Sequence, residues 1–158
     1  MTGTESADGK AAGVQPEVGA GHVFVVRGKL HQLIADDWLI STDLAGNVVP
    51  TWYEALGWTR GAPHGERPIF GEGSRVCPVP ERPDFPRRWF VAVGAARGED
   101  VEWLLAGVRE GLTAAAEAGR GQPSRGVRQR IAMPVMGVGL GGYNNRRGQV
   151  IDGLLDEA

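Results

Sequence analysis

Four glycines fall within six residues near the end of the chain, and they are the strongest chemical signal in the sequence. The segment reads Gly-Val-Gly-Leu-Gly-Gly over residues 137–142 and follows an apolar run, Ile131–Met136, that is typical of a short strand interrupted by proline. After it, apolar residues at helical spacing predict a helix over 148–155. Glycine lets a ligand approach the main chain closely, and free N–H groups at a helix start favour an anion. This order of strand, glycine loop and helix predicts a site for a phosphate or diphosphate.

A glycine-rich turn that only connects two elements is the alternative interpretation of this loop. Two familiar phosphate motifs do not fit it. Gly137, Gly139 and Gly142 have the spacing of the dinucleotide fingerprint, but that fold needs another strand and an acidic residue about 20 positions further on, and the sequence stops at Ala158. A Walker loop needs a Lys-Ser or Lys-Thr pair after the glycines, and none follows.

The composition predicts one globular domain. The chain has 158 residues, 42% hydrophobic and 23% charged, with a formal net charge of −2. We expect a flexible N-terminal leader over 1–21 and the domain over 22–158. Cys77 is the single cysteine and the three histidines lack zinc spacing, so neither a disulfide framework nor a metal site is expected. Near-neutral charge argues against nucleic acid as a partner, and the absence of a long apolar stretch argues against a membrane. A cytoplasmic location follows as the default expectation.

The elements that must position the loop can be read from hydrophobic spacing. The clearest is a helix over Asp100–Ala118, with Asp100 at its positive end and Gly119 as the residue that ends it. Residues 45–85 carry many glycines and prolines and predict long loops. Residues 120–130 predict a basic, solvated loop. Strands are predicted over His22–Val26, Asp37–Ser41 and Arg88–Gly94, with a helical turn at Leu30, Leu33 and Ile34 between the first two.

The second half of the chain resembles the macrodomain family. The residues that carry this resemblance are Phe90–Gly94, the following Leu- and Ala-rich helix, and the run Met133–Tyr143, with a weaker match in pattern at Gly28–His31 and Ile40–Asp43. The resemblance covers residues 23–155. It implies an α/β domain with a three-layer α/β/α arrangement and a mixed sheet, which binds ADP-ribose or a related NAD-derived nucleotide. The family's sheet receives another strand after the last helix, so we expect this chain to lack its last strand or strands.

The resemblance also implies which residues meet the ligand. The glycine loop would hold the diphosphate, and Tyr143 would pack on the distal ribose unless it is a core or lid aromatic. Asp43 would accept from a ribose hydroxyl unless it caps a turn, and Asn144 would add a donor unless it only begins a solvated helix. The complete set of expected ligand-binding residues is Thr42, Asp43, Gly137, Val138, Gly139, Leu140, Gly141, Gly142, Tyr143 and Asn144.

Two departures from the family shape the expected function. Lys29 stands where the family has an aspartate that accepts from adenine, and Thr42 and Asp43 replace asparagines of the hydrolytic members. We therefore expect a nucleotide-binding module with no catalytic residue and no required cofactor, linked or bound to an NAD-consuming effector of the kind found in bacterial defence. The alternatives are an ADP-ribosyl hydrolase, with Asp43 or Asp37 orienting water, and an interaction domain with a vestigial pocket.

Overall fold

A computed structural model describes residues 21–59, 67–94, 99–121 and 128–158. Within these ranges the chain forms four strands and three α-helices. The strands are β1 (Asp37–Asp43), β2 (Val76–Pro78), β3 (Arg87–Gly94) and β4 (Ile131–Ala132). The helices are α1 (Tyr53–Leu56), α2 (Val101–Gly119) and α3 (Arg147–Glu157). Short 3-10 turns cover Leu30–Gln32, Pro50–Trp52 and Asn144–Arg146.

The strands form one mixed sheet in the order β2-β3-β1-β4. The central pair, β1 and β3, is parallel over its whole length, from Asp37 beside Arg87 to Asp43 beside Gly94, with an irregularity at the end of β1. Strand β4 is parallel to β1 and β2 is antiparallel to β3. Three strands therefore point their carboxyl ends to the same edge of the sheet.

Helices α2 and α3 cover one face of the sheet. Leu39, Val91 and Val93 point into this face and pack with Leu104 and Val108 of α2 in a continuous buried cluster. Helix α3 adds two further buried side chains, Val150 and Leu154. Burial of this many aliphatic groups is the main source of stability on this face.

The other face is covered by the short helix α1, a 3-10 turn and loops. Trp38, Ile40 and Phe90 point into it, because successive side chains of a strand alternate between faces. Leu30 of the 3-10 turn and Leu56 of α1 complete the buried cluster. The chain is thus an α/β domain with a mixed four-stranded sheet and three helices in its described part. The one α-helix described on this second face is four residues long.

The predicted long helix is confirmed as α2. Asp100 is its N-cap, since the carboxylate accepts a hydrogen bond of 2.8 Å from the N–H of Trp103. The helix ends one residue later than predicted, at Gly119, and the residue with positive φ that follows the helix is Gly121, at +74°, instead of Gly119.

Two strand predictions need correction. The segment His22–Val26 forms no strand; it is exposed and unpaired, with Phe24 82% and Val25 83% accessible. Apolar β-branched residues favour a strand only where a neighbouring strand accepts the hydrogen bonds, and none of the described strands lies beside this segment. Strand pairing after Ile131 stops at Ala132 instead of reaching Met136, two residues before Pro134.

Residues 45–85 contain more structure than predicted, because α1 and β2 both lie within them. Each is short, at four and three residues, and hydrophobic periodicity cannot identify so short an element.

The predicted leader over 1–21 lies outside the described residues except at its last position. Most of the predicted basic loop, 122–127, is also outside them. No helix in the described ranges has the length and apolar character needed to cross a bilayer.

Candidate functional site at the carboxyl edge of the sheet

The glycine loop packs directly against the end of the central strands. Asp43 and Gly94 are neighbours across the β1–β3 pair. A Cβ atom placed on Gly94 would lie 3.3 Å from both Cα and the carbonyl oxygen of Gly141. The loop therefore lies at the edge where parallel strands end, which is where open α/β sheets commonly bind ligands.

Three of the glycines are required by the fold of the loop itself, and one of them is Gly142, whose φ is +90°. Gly137 has a φ of +73°, and its Cβ would lie 2.4 Å from Leu104 Cδ1. A Cβ on Gly141 would lie 2.7 Å from Cα of Gly137, so the loop crosses over itself with main chain against main chain. The N–H of Tyr143 closes this crossing by donating to the carbonyl of Gly137 at 3.2 Å. The backbone conformation of the loop therefore explains part of its glycine content without a ligand.

The remaining loop geometry leaves four main-chain donors without an acceptor among the described residues. The N–H groups of residues 138–141 donate to no acceptor within the described part of the chain. Gly139 has no atom within 4 Å of the position of a Cβ, and Leu140 is 91% exposed. Asn144 fixes the middle of the loop, since its Nδ2 donates to the carbonyl of Gly139 at 3.2 Å. The free donors are the feature expected of an anion-binding loop.

The helix that follows begins without a side-chain cap. The 3-10 turn Asn144–Arg146 continues directly into α3, and neither has a side chain that accepts from its first N–H groups. Arg146 and Arg147 are both exposed at this point. A helix N-terminus with two neighbouring guanidinium groups carries a positive potential toward solvent.

Tyr143 lies under the loop and is a core residue. Its side chain is 3% exposed and belongs to the cluster beneath α2. The ring contacts the Gly137 position from below, since a Cβ there would lie 2.8 Å from its Cδ2. Its hydroxyl is buried and has no hydrogen-bond partner in the described structure. Of the two roles open to it in the sequence, the observed placement is that of a core aromatic.

Burial and charges of both signs act on the pKa of Tyr143. Burial raises the pKa of Tyr143, and the carboxylates of Glu99 and Asp100 raise it further. Arg146 and Arg75 act in the opposite direction. The carboxylate of Asp100 is directed to the α2 cap, so the basic groups at the start of α3 are not paired with it.

Thr42 and Asp43 use their side chains to shape the loop after β1. Thr42 Oγ1 donates to the carbonyl of Asn47 at 2.8 Å. The carboxylate of Asp43 accepts from the N–H of Asn47 at 2.8 Å and from its Nδ2 at 2.7 Å. Both residues lie at the carboxyl edge of the sheet, but Asp43 acts as a turn cap there, which is the alternative role that the sequence allowed.

Asp37 is at the opposite, amino-terminal edge of the parallel pair. It is fully buried and accepts four hydrogen bonds, two from Arg87 at 2.8 and 2.7 Å, one from Trp89 Nε1 and one from Gln129 Nε2. The first of these contacts raises the pKa of Arg87. Four donors occupy all the lone-pair directions of a carboxylate, so Asp37 has none left to orient a water.

A small cleft beside the loop after β1 was not predicted from the sequence. Asn47, Tyr53, Trp58 and Arg67 are among the residues that line it. The sequence places two of these residues, Tyr53 and Trp58, among the glycines and prolines of residues 45–85. Nothing in the spacing of Tyr53 and Trp58 predicted that the guanidinium of Arg67 would lie beside them.

Comparison with family models, with curated proteins and with solved structures finds no match for this chain. The described residues contain no group of three or more His, Cys, Asp or Glu side chains suited to a metal ion.

Proposed function

We propose that this protein is a binding module for ADP-ribose or a related NAD-derived nucleotide, with the diphosphate held by the glycine loop 137–142. The observation that carries the proposal is the set of N–H groups at residues 138–141 that find no acceptor among the described residues, next to an uncapped helix start. A diphosphate supplies several acceptor oxygens and negative charge, which matches both features. A turn that only reversed the chain would leave these donors to water.

The finer features of the proposal rest on the resemblance. They are the three-layer macrodomain-like arrangement, a cytoplasmic location and the regulation of a linked or separate NAD-consuming effector. Hydrolysis is not included, because the carboxylates of Asp43 and Asp37 are both committed to structural hydrogen bonds. The proposed module binds without a metal or a required cofactor.

Calorimetry with a graded set of ligands tests the proposal. We expect ADP-ribose, NAD and ADP to bind, AMP to bind more weakly, and adenosine to give no heat, because each phosphate removed takes acceptors away from the loop. Inorganic pyrophosphate should compete with ADP-ribose. Absence of heat with all of these ligands would overturn the proposal.

The loop offers a variant that changes the site without disturbing the fold. In Gly139→Val the new side chain enters open space above the loop, where the ligand would approach. We expect at least a tenfold loss of ADP-ribose affinity, equivalent to about 1.4 kcal/mol, with an unchanged unfolding midpoint. Gly141→Val is unsuitable, because it would collide with the main chain of Gly137 and confuse binding with folding.

Gly148→Ala is the matched control. Gly148 lies in α3, has no atom near its Cβ position and does not belong to the loop. It should bind ADP-ribose as the wild type does. Equal affinity of Gly139→Val and wild type would show that the ligand does not lie on the loop.

A further inference from the structure

The segment Val23–Val26 consists of four consecutive apolar residues that the fold leaves uncovered. Their exposed fractions lie between 47% and 83%. The N–H and carbonyl groups of residues 22–26 have no hydrogen-bond partner within the described chain. β-Branched and aromatic residues favour a strand where a neighbouring strand accepts their hydrogen bonds. Segment 22–26 therefore has the composition and the free main-chain groups of a strand that lacks its neighbour.

One edge of the sheet, at β2, is closed to a further strand. Arg75 and Val79 make main-chain hydrogen bonds to β3, so Val76 and Pro78, which alternate with them, face outward. The N–H of Val76 donates to Oγ of Ser74 at 3.2 Å, and proline has no N–H to donate. Neither outward-facing residue of β2 therefore keeps a main-chain donor for an incoming strand.

The opposite edge of the sheet, at β4, is open. The carbonyl of Arg130 accepts from the N–H of Asp37 at 3.2 Å, so the even-numbered residues direct their main-chain groups to β1. Ile131 and Met133 therefore direct their N–H and carbonyl groups away from β1. These four groups have no partner in the part of the chain that the structure describes. They offer two donors and two acceptors to a strand placed beside β4.

The apolar side chains at the open edge are only partly covered. Ile131 and Met133 pack against the buried cluster on the α2 face, and Ala132 packs against the cluster on the other face. All three are half-buried, because none of the described strands lies beyond β4. A strand whose apolar side chains alternate between its two sides would cover both faces of this edge at once.

We infer that two copies of this chain exchange strands, so that segment 22–26 of each copy pairs with β4 of the other, beside Ile131–Met133. The second copy is the occupant that the structure supports, because one copy holds both the free segment and the free edge and pairs neither of them. Each copy gives one strand and receives one, so the contact is reciprocal and closes as a twofold dimer. The inference does not depend on the glycine loop.

The size and charge of the two surfaces fit a weak, reversible dimer. Neither Val23–Val26 nor Ile131–Met136 contains a charged residue, so pairing them removes no charge from water. An exposed aromatic side chain alone can bury about 150–250 Å². Two exchanged strands, with the edges that they cover, then reach the lower part of the range for specific interfaces, about 1,200–2,000 Å² in total. We expect a dissociation constant on the order of 100 µM for so short a pairing.

Sedimentation velocity on the full chain tests the dimer. Between about 5 and 500 µM protein, the weight-average sedimentation coefficient should rise from the monomer value toward the dimer value. Val25→Lys places a charge on the 83% exposed residue of the segment and should weaken dimerisation at least about tenfold, with an unchanged unfolding midpoint. Ile69→Lys makes the same change at an 87% exposed residue outside both surfaces and should dimerise as the wild type does.

Isotope-filtered NMR on an equal mixture of ¹³C,¹⁵N-labelled and unlabelled chains locates the contact. At about 500 µM total protein, we expect intermolecular NOEs between residues 22–26 of one copy and residues 131–133 of the other. At concentrations well below the dissociation constant, segment 22–26 should be free, and its amides should exchange rapidly.

Three results would each overturn the inference. They are a chain that stays monomeric up to about 500 µM, a Val25→Lys variant that dimerises as Ile69→Lys does, and NOEs between 22–26 and 131–133 that arise within one molecule only. Val25→Lys should bind ADP-ribose as the wild type does. Failure of strand exchange and failure of nucleotide binding are therefore separate results.

Discussion

At the scale of the residue, the Tyr143 hydroxyl is one of two buried side-chain groups of the described residues that have no hydrogen-bond partner, the other being Trp38 Nε1. A buried donor without an acceptor costs free energy, typically about 1–3 kcal/mol, yet here it lies within an otherwise apolar cluster. Directly above it is the glycine loop, whose Gly137 main chain touches the ring. Tyr143 thus supports the loop from below and has no place on the ligand side.

The variant Tyr143→Phe removes this unsatisfied hydroxyl and keeps the ring. We expect it to raise the free energy of unfolding by about 1 kcal/mol, measured by urea denaturation at pH 7, and to leave ADP-ribose affinity unchanged. A stable variant that no longer binds ADP-ribose would instead place the hydroxyl in contact with the ligand.

The same residue predicts a pH dependence. Burial raises the pKa of Tyr143 above 10.0, so the folded protein keeps a proton that the unfolded chain releases. Stability must then fall as the pH rises past about 10, since the unfolded state binds fewer protons there. In Tyr143→Phe the fall between pH 9.5 and 11 should be shallower, and an identical slope in both proteins would contradict the assignment.

At the scale of the element, α2 approaches the sheet closely because two glycines face it. A Cβ on Gly107 would lie 2.9 Å from the carbonyl oxygen of Ala92, and one on Gly111 would lie 2.9 Å from Val91 Cγ2. These residues lie four apart, on the same side of the helix. The close approach also sets the position of Leu104, which touches the first glycine of the loop.

Two glycine-to-alanine changes should therefore have opposite signs. Gly107→Ala meets a main-chain oxygen that cannot move freely, and overpacking of about 1–3 kcal/mol outweighs the gain in helix propensity. Gly148→Ala in α3 meets open space and should stabilise by about 0.5–1 kcal/mol. Urea denaturation of both variants provides the measurement, and stabilisation by Gly107→Ala would show that α2 lies further from the sheet.

At the scale of the whole molecule, the two edges of the parallel pair have different roles. The amino-terminal edge is closed by the four hydrogen bonds on Asp37, which join β1, β3 and the chain before β4. The carboxyl edge carries the glycine loop and the aromatic cleft, and both have exposed polar groups. Rigid support at one edge and open donors at the other is the arrangement expected of a binding domain.

Hydrogen exchange should reproduce this division. Amides in the paired parts of β1 and β3 are expected to exchange slowest, and those of residues 22–28 and 138–141 fastest, since the latter have no acceptors in the described structure. Saturating ADP-ribose should slow residues 138–141 and leave 22–28 unchanged. Slow exchange at 138–141 without ligand would mean that these amides are already bonded.

The sequence by itself determined the elements that are specified by residues close together in the chain. The apolar stripe and Asp100 predicted α2, the β-branched runs predicted β1 and β3, and the glycine spacing predicted an irregular loop before a helix. It also gave both roles for Asp43 and Tyr143 without choosing between them, since a side chain's partners come from distant parts of the chain.

The tertiary structure alone decided which strands pair and which residues form the cleft. The run His22–Val26 has the composition of a strand but lacks a paired neighbour among the described strands, and pairing after Ile131 stops at Ala132. Arg67 meets Tyr53 and Trp58 in one cleft, and the lack of a side chain at Gly46 lets Pro68 pack closely against the loop after β1. Strand pairing and cleft formation both need groups far apart in the chain to meet, and hydrophobic spacing carries information only about near ones.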